Sequence, residues 1–127
     1  MEFTVSTKNS EEFIDITSRV EDAVKKAGVR DGICVVYTPH TTAAVTINEN
    51  ADSSVVRDML ASLDDIVKDI GFMHVEGNST AHVKSSLVGC SETIIVEKSR
   101  LQLGAWQGIY FCEFDGPRNR KVYVKAI

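Results

Sequence analysis

Three strand-like patterns follow one another in the last third of the chain, with no helical pattern between them. Residues 93–96 are an apolar and mostly β-branched run, and residues 106–114 are predicted to form a longer strand. Residues 115–120 have the composition of a turn, and Val122 and Val124 then alternate with polar neighbours. Strands grouped at one end of a chain favour an α+β fold with a largely antiparallel sheet over a regular strand–helix–strand repeat.

Two helices and further strands are predicted upstream of this cluster. Strand patterns cover residues 2–7, 32–37 and 43–48. Apolar residues at helical spacing predict one helix that starts at a capping box formed by Ser18 and Glu21 and ends at Gly28. A second helix is predicted over residues 55–67. The sequence therefore predicts one domain, residues 1–127, folded as a compact, mostly antiparallel β-sandwich or sheet with two main helices.

Composition argues against several classes of protein. A net charge of −4 disfavours broad nucleic-acid binding, which needs a basic surface. No window approaches the ~20 apolar residues of a membrane helix, and the N-terminus does not resemble a signal peptide. Three cysteines without a Cys-x-x-Cys spacing indicate reduced thiols and a cytoplasmic location. Cys34 and Cys112 lie inside apolar runs and are predicted to be core residues.

A polar loop from His74 to Gly89 is the richest stretch in residues suited to chemistry. It contains His74 and His82, and the remaining histidine, His40, lies in another loop between two predicted strands. Three imidazoles can form a metal site with room for water or substrate, although no standard metal-binding spacing is present. The alternative is that each histidine is an ordinary loop residue held by a local hydrogen bond.

Candidate anion donors lie in the same loop and in the last turn. Lys84 and Ser85 follow His82 closely, while Arg118 and Arg120 lie in or beside the 115–120 turn. Phosphate groups are bound by such cations together with hydroxyls and free backbone N–H groups. The alternative for Lys84 and Arg120 is a solvated surface charge. Arg118 could equally form a structural ion pair with Glu113 or Asp115.

Other polar residues at strand ends could complete a cleft. Asn48 ends the third strand, and Gln107 follows Trp106. Glu76 and Glu113 are the candidate acid/base residues, although no paired-carboxylate spacing supports either one. The expected site residues are as follows: catalytic Glu76, Lys84 and Glu113; substrate- or phosphate-binding Asn48, Asn78, Lys84, Ser85, Gln107 and Arg118; metal-binding His40, His74 and His82.

The combined pattern resembles the YjbQ-type family, also called the secondary thiamine-phosphate synthase family. Four blocks carry the resemblance: residues 40–50 (HTTAAVTINEN), 76–87 (EGNSTAHVKSSL), 103–110 (LGAWQGIY) and 113–118 (EFDGPR). The resemblance implies an α+β sandwich that assembles as a homotrimer, with sites near the subunit boundaries. It also implies a weak thiamine-phosphate synthase activity, which joins a pyrimidine pyrophosphate to a thiazole phosphate and releases pyrophosphate.

The resemblance further implies a divalent metal held by His40, His74 and His82. Imidazole ligands select Zn²⁺ over Mg²⁺, which prefers oxygen ligands. The predicted partner is a small anionic molecule, and three hypotheses for the function remain. The first is a transferase of the thiamine-phosphate synthase type. The second is a Zn²⁺-dependent enzyme, such as a hydrolase, that acts on another small phosphorylated or carbonyl substrate with Glu76 or Glu113 as base to a metal-bound water. The third is a non-enzymatic trimer that binds a metal or an anion.

Overall fold

The structure is a computed structural model that describes residues 1–127, and its fold is α+β. The strands are β1 (Glu2–Ser6), β2 (Glu12–Asp15), β3 (Gly32–Tyr37), β4 (Ala43–Glu49), β5 (Ser91–Glu97), β6 (Arg100–Leu101), β7 (Gln107–Glu113) and β8 (Asn119–Ala126). The helices are α1 (Thr17–Ala27), α2 (Ser53–Ile66) and α3 (Ser79–Val88). The predicted fold class is confirmed.

The strands form two sheets in which every pairing is antiparallel. One sheet has the order β1-β8-β3-β5-β6 and the other the order β2-β7-β4. Val36 and Val122 of the first sheet and Phe111 of the second are fully enclosed in one apolar cluster, together with Val20 of α1. The main core therefore lies between the two sheets and is closed by α1, as expected for a sandwich.

A smaller apolar cluster lies on the opposite face of the three-stranded sheet. Its members include Ala44 of β4 and Ala81 of α3, and Val56 and Leu63 of α2 pack against it. Successive residues of a strand point to opposite faces, so β4 serves both clusters. Helices α2 and α3 thus cover the face of the small sheet that the main core leaves free.

The start of α1 differs from the prediction. The capping box at Ser18 and Glu21 is wrong, because the helix begins at Thr17 after Ile16 and has no side-chain cap. Strand β7 holds this end instead: Ile16 N donates to the Ile109 carbonyl at 2.8 Å, and Ile109 N donates to Thr17 Oγ1 at 2.9 Å. The side chain of Asp15, one residue before the N-cap, also accepts from Thr17 N at 2.9 Å. A local contact and tertiary contacts therefore hold the start of this helix together.

The structure has three helices rather than the two main ones predicted. Helix α3 was not predicted as a main helix because the side chains it buries are Ala81, Lys84 and Ser85, which form no apolar stripe. Helix α2 was predicted from its apolar spacing. It is capped by Asp52, whose Oδ1 accepts a hydrogen bond from Ser54 N at 2.9 Å.

The cysteine prediction holds for the two core positions. Cys34 and Cys112 are buried, Cys90 is exposed, and all three are free thiols. None of the three helices has the length and apolar character needed to cross a lipid bilayer.

Candidate functional site

A polar cavity of about 410 Å³ lies where three loop regions meet. They are the β3–β4 loop, the segment that leads into α3, and the β7–β8 turn with the start of β8. No hydrophobic side chain lines the cavity. The lining residues are Pro39, His40, Thr41, Thr42, His74, Glu76, Asn78, His82, Asp115, Arg118 and Arg120. The structure therefore brings together all three histidines with Glu76, Asn78 and Arg118, which are far apart in the sequence.

Arg120 is the best-supported anion donor in this cavity, and the expected site residues did not include it. Its side chain is only 5% exposed. Its Nε lies 3.0 Å from both carboxylate oxygens of Glu113, and its Nη2 donates to the same carboxylate and to Thr42 Oγ1 at 2.8 Å. All of its hydrogen bonds run through Nε and Nη2. Nη1 is left without a protein partner on a residue that lines the cavity.

A sequence signal for Arg120 does exist. Val122 and Val124 of β8 are buried, and a residue two positions earlier in a strand points to the same face. Arg120 has that parity and is buried with them. A charged residue on the inward face of a strand must be paired, which distinguishes it from a solvated surface charge.

Glu113 does not lie at the cavity, where an acid/base residue was expected. Its side chain is fully buried, and its carboxylate is not part of the cavity lining. Besides Arg120, it accepts a hydrogen bond from Thr7 Oγ1 at 2.7 Å. The carboxylate is therefore occupied by partners on two sides. Its role in this geometry is to orient Arg120.

Arg118 pairs with Asp115, one of the two partners considered for it. Its Nε donates to the Asp115 carbonyl at 2.7 Å and its Nη2 to Asp115 Oδ2 at 3.0 Å. Asn78 Nδ2 donates to the same Oδ2 at 2.8 Å. Burial alone would raise the pKa of Asp115, but the hydrogen bonds from Asn78 and Arg118 and the nearby positive charges lower it overall.

Asn78 has an unusual feature at this junction. Its amide nitrogen must face the Asp115 carboxylate, because a carboxylate oxygen can only accept. That orientation leaves Asn78 Oδ1 buried without a hydrogen-bond donor. A buried acceptor of this kind normally has a partner. Asn78 Oδ1 is therefore a buried, unpaired acceptor next to the Asp115–Arg118 pair.

The three histidines have different surroundings. His74 and His82 lie edge to face, with ring centroids 5.3 Å apart. His40 Nε2 accepts a hydrogen bond from the backbone N–H of Lys121 at 2.8 Å. Burial and the positive charge of Arg120 lower the pKa of His40, although the carboxylate of Glu113 acts in the opposite sense. At neutral pH His40 is therefore a neutral imidazole.

These surroundings bear on the expected three-histidine metal site. No group of three or more His, Cys, Asp or Glu side chains is positioned to hold an ion. His40 has its Nε2 lone pair committed to Lys121. Within a single chain, the three imidazoles do not fit a shared metal ion.

Lys84 and Ser85 of α3 are not among the residues that line the cavity. Residues two positions apart on a helix point in nearly opposite directions, so Lys84 faces away when His82 faces the cavity. The Lys84 ammonium is buried and pairs with Glu11 at 2.7 Å and with Asp64. Ser85 Oγ donates to the Ala43 carbonyl at 2.6 Å. Both residues attach α3 to its neighbours and do not line the cavity.

Asn48 and Gln107 are also outside the cavity lining. The side-chain oxygen of Asn48 accepts from Glu49 N at 2.7 Å, and that of Gln107 accepts from Gly104 N at 2.8 Å. Both amides thus close local turns at the end of the β4–β7 pair, where Asn48 is opposite Gly108 and Gln107 is opposite Glu49.

Comparison with known proteins is consistent along the whole chain. The family model described as "UPF0047 protein YjbQ-like" matches residues 1–127. A UPF0047 protein of Methanocaldococcus jannaschii is 53% identical over 126 residues, which are 98% of this chain and 91% of that protein. The UPF0047 protein YugU of Bacillus subtilis is 51% identical over 125 residues, covering 97% of this chain and 95% of that protein.

Solved structures give the same result. A crystal structure of a YjbQ/UPF0047 family protein from Clostridium acetobutylicum has a TM-score of 0.97 and 57% identity, and covers 100% of this chain and 99% of that one. The crystal structure of a hypothetical protein from Aeropyrum pernix K1 has a TM-score of 0.94 and 38% identity, and the match covers 100% of this chain and 96% of that one. The chain therefore belongs to the YjbQ-like family of UPF0047 proteins.

Proposed function

We propose that the polar cavity binds the phosphate or pyrophosphate group of a small molecule, and that the protein is a transferase of the thiamine-phosphate synthase type. The observation that carries the proposal is the buried Arg120, whose Nε edge is held by Glu113 while Nη1 has no protein partner at the cavity. A guanidinium held in this way is a preorganised anion donor, because it loses little side-chain freedom when a ligand binds.

Arg118 supports the same assignment from the opposite side of the turn. Its Nε and Nη2 are engaged by Asp115, and it lines the same cavity. Two guanidiniums held by carboxylates at one cavity offer several charge-assisted donors to phosphate oxygens. The lining is otherwise polar, as expected for a ligand that is mostly acceptor oxygens.

The proposed reaction makes modest chemical demands on the protein. The bond between the benzylic-type carbon of the pyrimidine and the pyrophosphate oxygen breaks, and its electron pair leaves with pyrophosphate. The ring nitrogen of the thiazole phosphate then forms the new bond to that carbon. The main requirement is stabilisation of the charge that develops on the departing group, for which Arg118 and Arg120 are suited. No proton transfer is needed in these steps.

Product formation from the two phosphorylated precursors, measured on the full chain, tests the proposal. Arg120→Lys keeps a positive charge beside Glu113 but removes Nη1, and Arg118→Gln removes the second guanidinium. We expect each variant to lower the rate at least tenfold, since a lost charged hydrogen bond costs about 1.5–3 kcal/mol. Arg30→Gln is the matched control, because Arg30 is exposed and its only ion pair is with its neighbour Asp31. Rates in both site variants equal to that of the control would refute the proposal.

A Zn²⁺-dependent enzyme is the second candidate, and the contact between His74 and His82 favours it. Glu76 lines the same cavity, is exposed, and is the available carboxylate for a general base. Metal analysis of protein purified without added metal separates the candidates. Stoichiometric zinc that is lost in His82→Ala would favour this second candidate, and absence of zinc with measurable turnover would favour the first. Absence of both would leave a non-enzymatic anion-binding protein.

We also propose that the chain assembles as a homotrimer. Support comes from the segment beside the cavity, where Ile70, Met73 and Val75 are 81%, 97% and 97% exposed. Apolar side chains this exposed are typical of surfaces that a partner covers. Light scattering coupled to size-exclusion chromatography tests this, and a mass of one chain at micromolar concentration would contradict it.

A further inference from the structure

His40 takes the place of a missing strand residue beside β8. Tyr37 of β3 pairs with Tyr123 of β8, so the same register would set Pro39 opposite Lys121. The strand ends at Tyr37, and two side chains satisfy the Lys121 backbone instead. Thr38 Oγ1 donates to the Lys121 carbonyl at 3.2 Å, and His40 Nε2 accepts from Lys121 N at 2.8 Å. The imidazole thus continues the hydrogen-bonding pattern of the sheet past the end of β3.

This contact determines which ring nitrogen of His40 carries the proton. A backbone N–H can only donate, so Nε2 must offer a lone pair. The proton of the neutral ring is then on Nδ1. Nδ1 makes no hydrogen bond within the protein, and the ring lines the cavity. We propose that His40 serves this cavity as a neutral Nδ1–H donor to the bound anion, and that it is not a metal ligand.

Metal binding by His40 is disfavoured by the same geometry. A ligating imidazole nitrogen must have its lone pair free. With Nε2 engaged by Lys121, Nδ1 could bind a metal only if the ring lost its remaining proton or broke away from β8. The positive charges of Arg120, Lys121 and Arg118 near His40 also oppose a bound cation at this position, although the carboxylate of Glu113 acts in the opposite sense.

A donor at Nδ1 also defines the substrate group that His40 can face. Together with Arg120 it presents only donors, so the facing atoms must be acceptors, as in an ionised phosphate, pyrophosphate or carboxylate. A group that carries its own proton toward His40 would be rejected, because two donors would meet. This part of the inference rests on the proposed anion site, whereas the position of the proton does not.

The proton position can be measured directly on the full-length protein. Long-range ¹H–¹⁵N correlation spectra of histidine-labelled protein at neutral pH distinguish the two neutral forms of each imidazole, and His40→Gln identifies the His40 signals. We expect Nδ1 protonated and Nε2 unprotonated. Inorganic phosphate should shift the Nδ1 signal, and Zn²⁺ should leave both His40 nitrogens unchanged. A proton on Nε2, or a Zn²⁺-induced shift typical of a coordinated nitrogen at His40, would overturn the proposal.

Two substitutions of His40 separate the structural contact of Nε2 from the proposed ligand contact of Nδ1. Gln places its side-chain oxygen near the position of Nε2 and can still accept from Lys121, but it has no donor at the Nδ1 position. Asn places an amide near the Nδ1 position but cannot reach Lys121. We expect His40→Gln to keep the melting temperature of the wild type while weakening inorganic phosphate binding about tenfold. We expect His40→Asn to have a lower melting temperature than His40→Gln but to lose less phosphate affinity.

The outcomes also distinguish this inference from the proposed function. Wild-type protein that fails to bind phosphate while His40 has its proton on Nδ1 would refute the anion site and the donor role, but not the proton position. Phosphate binding that is unaffected in His40→Gln would refute the donor role and leave the anion site in place.

Discussion

Arg120 and Glu113 form a buried ion pair in which the guanidinium Nε lies 3.0 Å from both carboxylate oxygens. The two residues approach from β8 and β7, which belong to different sheets. The pair therefore joins the sheets of the sandwich beside the cavity, and it leaves Arg120 Nη1 available there. One contact thus links the packing of the two sheets to the orientation of a residue that lines the cavity.

Glu113→Gln should be strongly destabilising, because it leaves the Arg120 charge buried without a counter-charge. Both side chains are at most 5% exposed, so water cannot replace the lost partner. We expect a loss of about 3 kcal/mol in the free energy of unfolding, measured by urea denaturation. Glu97→Gln is the control, since Glu97 is exposed at the end of β5. A Glu113→Gln variant as stable as this control would contradict the assignment.

Lys84→Met should affect stability but not anion binding. The ammonium links α3 to Glu11 and Asp64, but the side chain of Asp64 is 62% exposed and can be hydrated when the pair is removed. We therefore expect a loss of about 1–2 kcal/mol, at the low end for charged hydrogen bonds. Phosphate affinity, measured by calorimetry, should equal that of the wild type. A tenfold loss of phosphate affinity would instead indicate that Lys84 contributes to anion binding, as the sequence predicted.

The Lys84 contact should also have a signature at alkaline pH. Burial alone would lower the pKa of Lys84, but hydrogen bonds to Asp64 and Glu11 and their charges outweigh it and raise the pKa above 10.5. The ammonium therefore contributes stability that is fully present below about pH 10 and is lost as the pH rises through the raised pKa. The stability difference between wild type and Lys84→Met should be constant from neutral pH to about pH 10 and should narrow above it. A difference that narrows near neutral pH would be inconsistent with the pair.

Asp115→Asn should change the response to acid. Because the pKa of Asp115 is lowered from 3.8, its carboxylate adds stability above that pH, and this contribution is lost as the pH falls through the lowered pKa. The difference in unfolding free energy between wild type and variant should be constant above about pH 5 and should shrink below pH 3.8. Thermal melts at several pH values measure it. Equal differences at pH 7 and below pH 3 would rule out the Asp115–Arg118 pair as the cause.

Gly116→Ala should disturb the site through packing. A Cβ atom at residue 116 would lie 2.4 Å from the Asn9 carbonyl oxygen and 2.8 Å from Glu113 Cγ. The backbone there cannot easily move, because Gly116 N donates to the Ser10 carbonyl at 2.9 Å. We expect a loss of about 1–3 kcal/mol together with weaker phosphate binding, because Glu113 would shift and carry Arg120 with it. Gly77→Ala is a useful comparison, since a Cβ there meets no atom within 4 Å and only the positive φ is unfavourable.

Much of the fold follows from local periodicity. The alternation of Val122 and Val124, the apolar run at residues 32–37 and the helical spacing in α1 each reflect a face that the chain must bury, and such patterns are visible without a structure. Helix α3 is different, because it buries Lys84 and Ser85 through specific partners, and no apolar spacing marks it. Its packing was decided by Glu11, Asp64 and the Ala43 carbonyl.

The sequence by itself determined six of the eight strands, two of the helices, the family and the loops that surround the cavity, because these depend on local pattern and residue type. The short strands β2 and β6 were not predicted. Only the tertiary structure decided what the individual side chains do there. The contacts of Arg120 with Thr42 and of His40 with Lys121 join residues 78 and 81 positions apart. Such contacts depend on how the two sheets are placed and where β3 ends. Residue type can identify a candidate, but the partner at each polar atom determines whether it binds a ligand or holds the fold together.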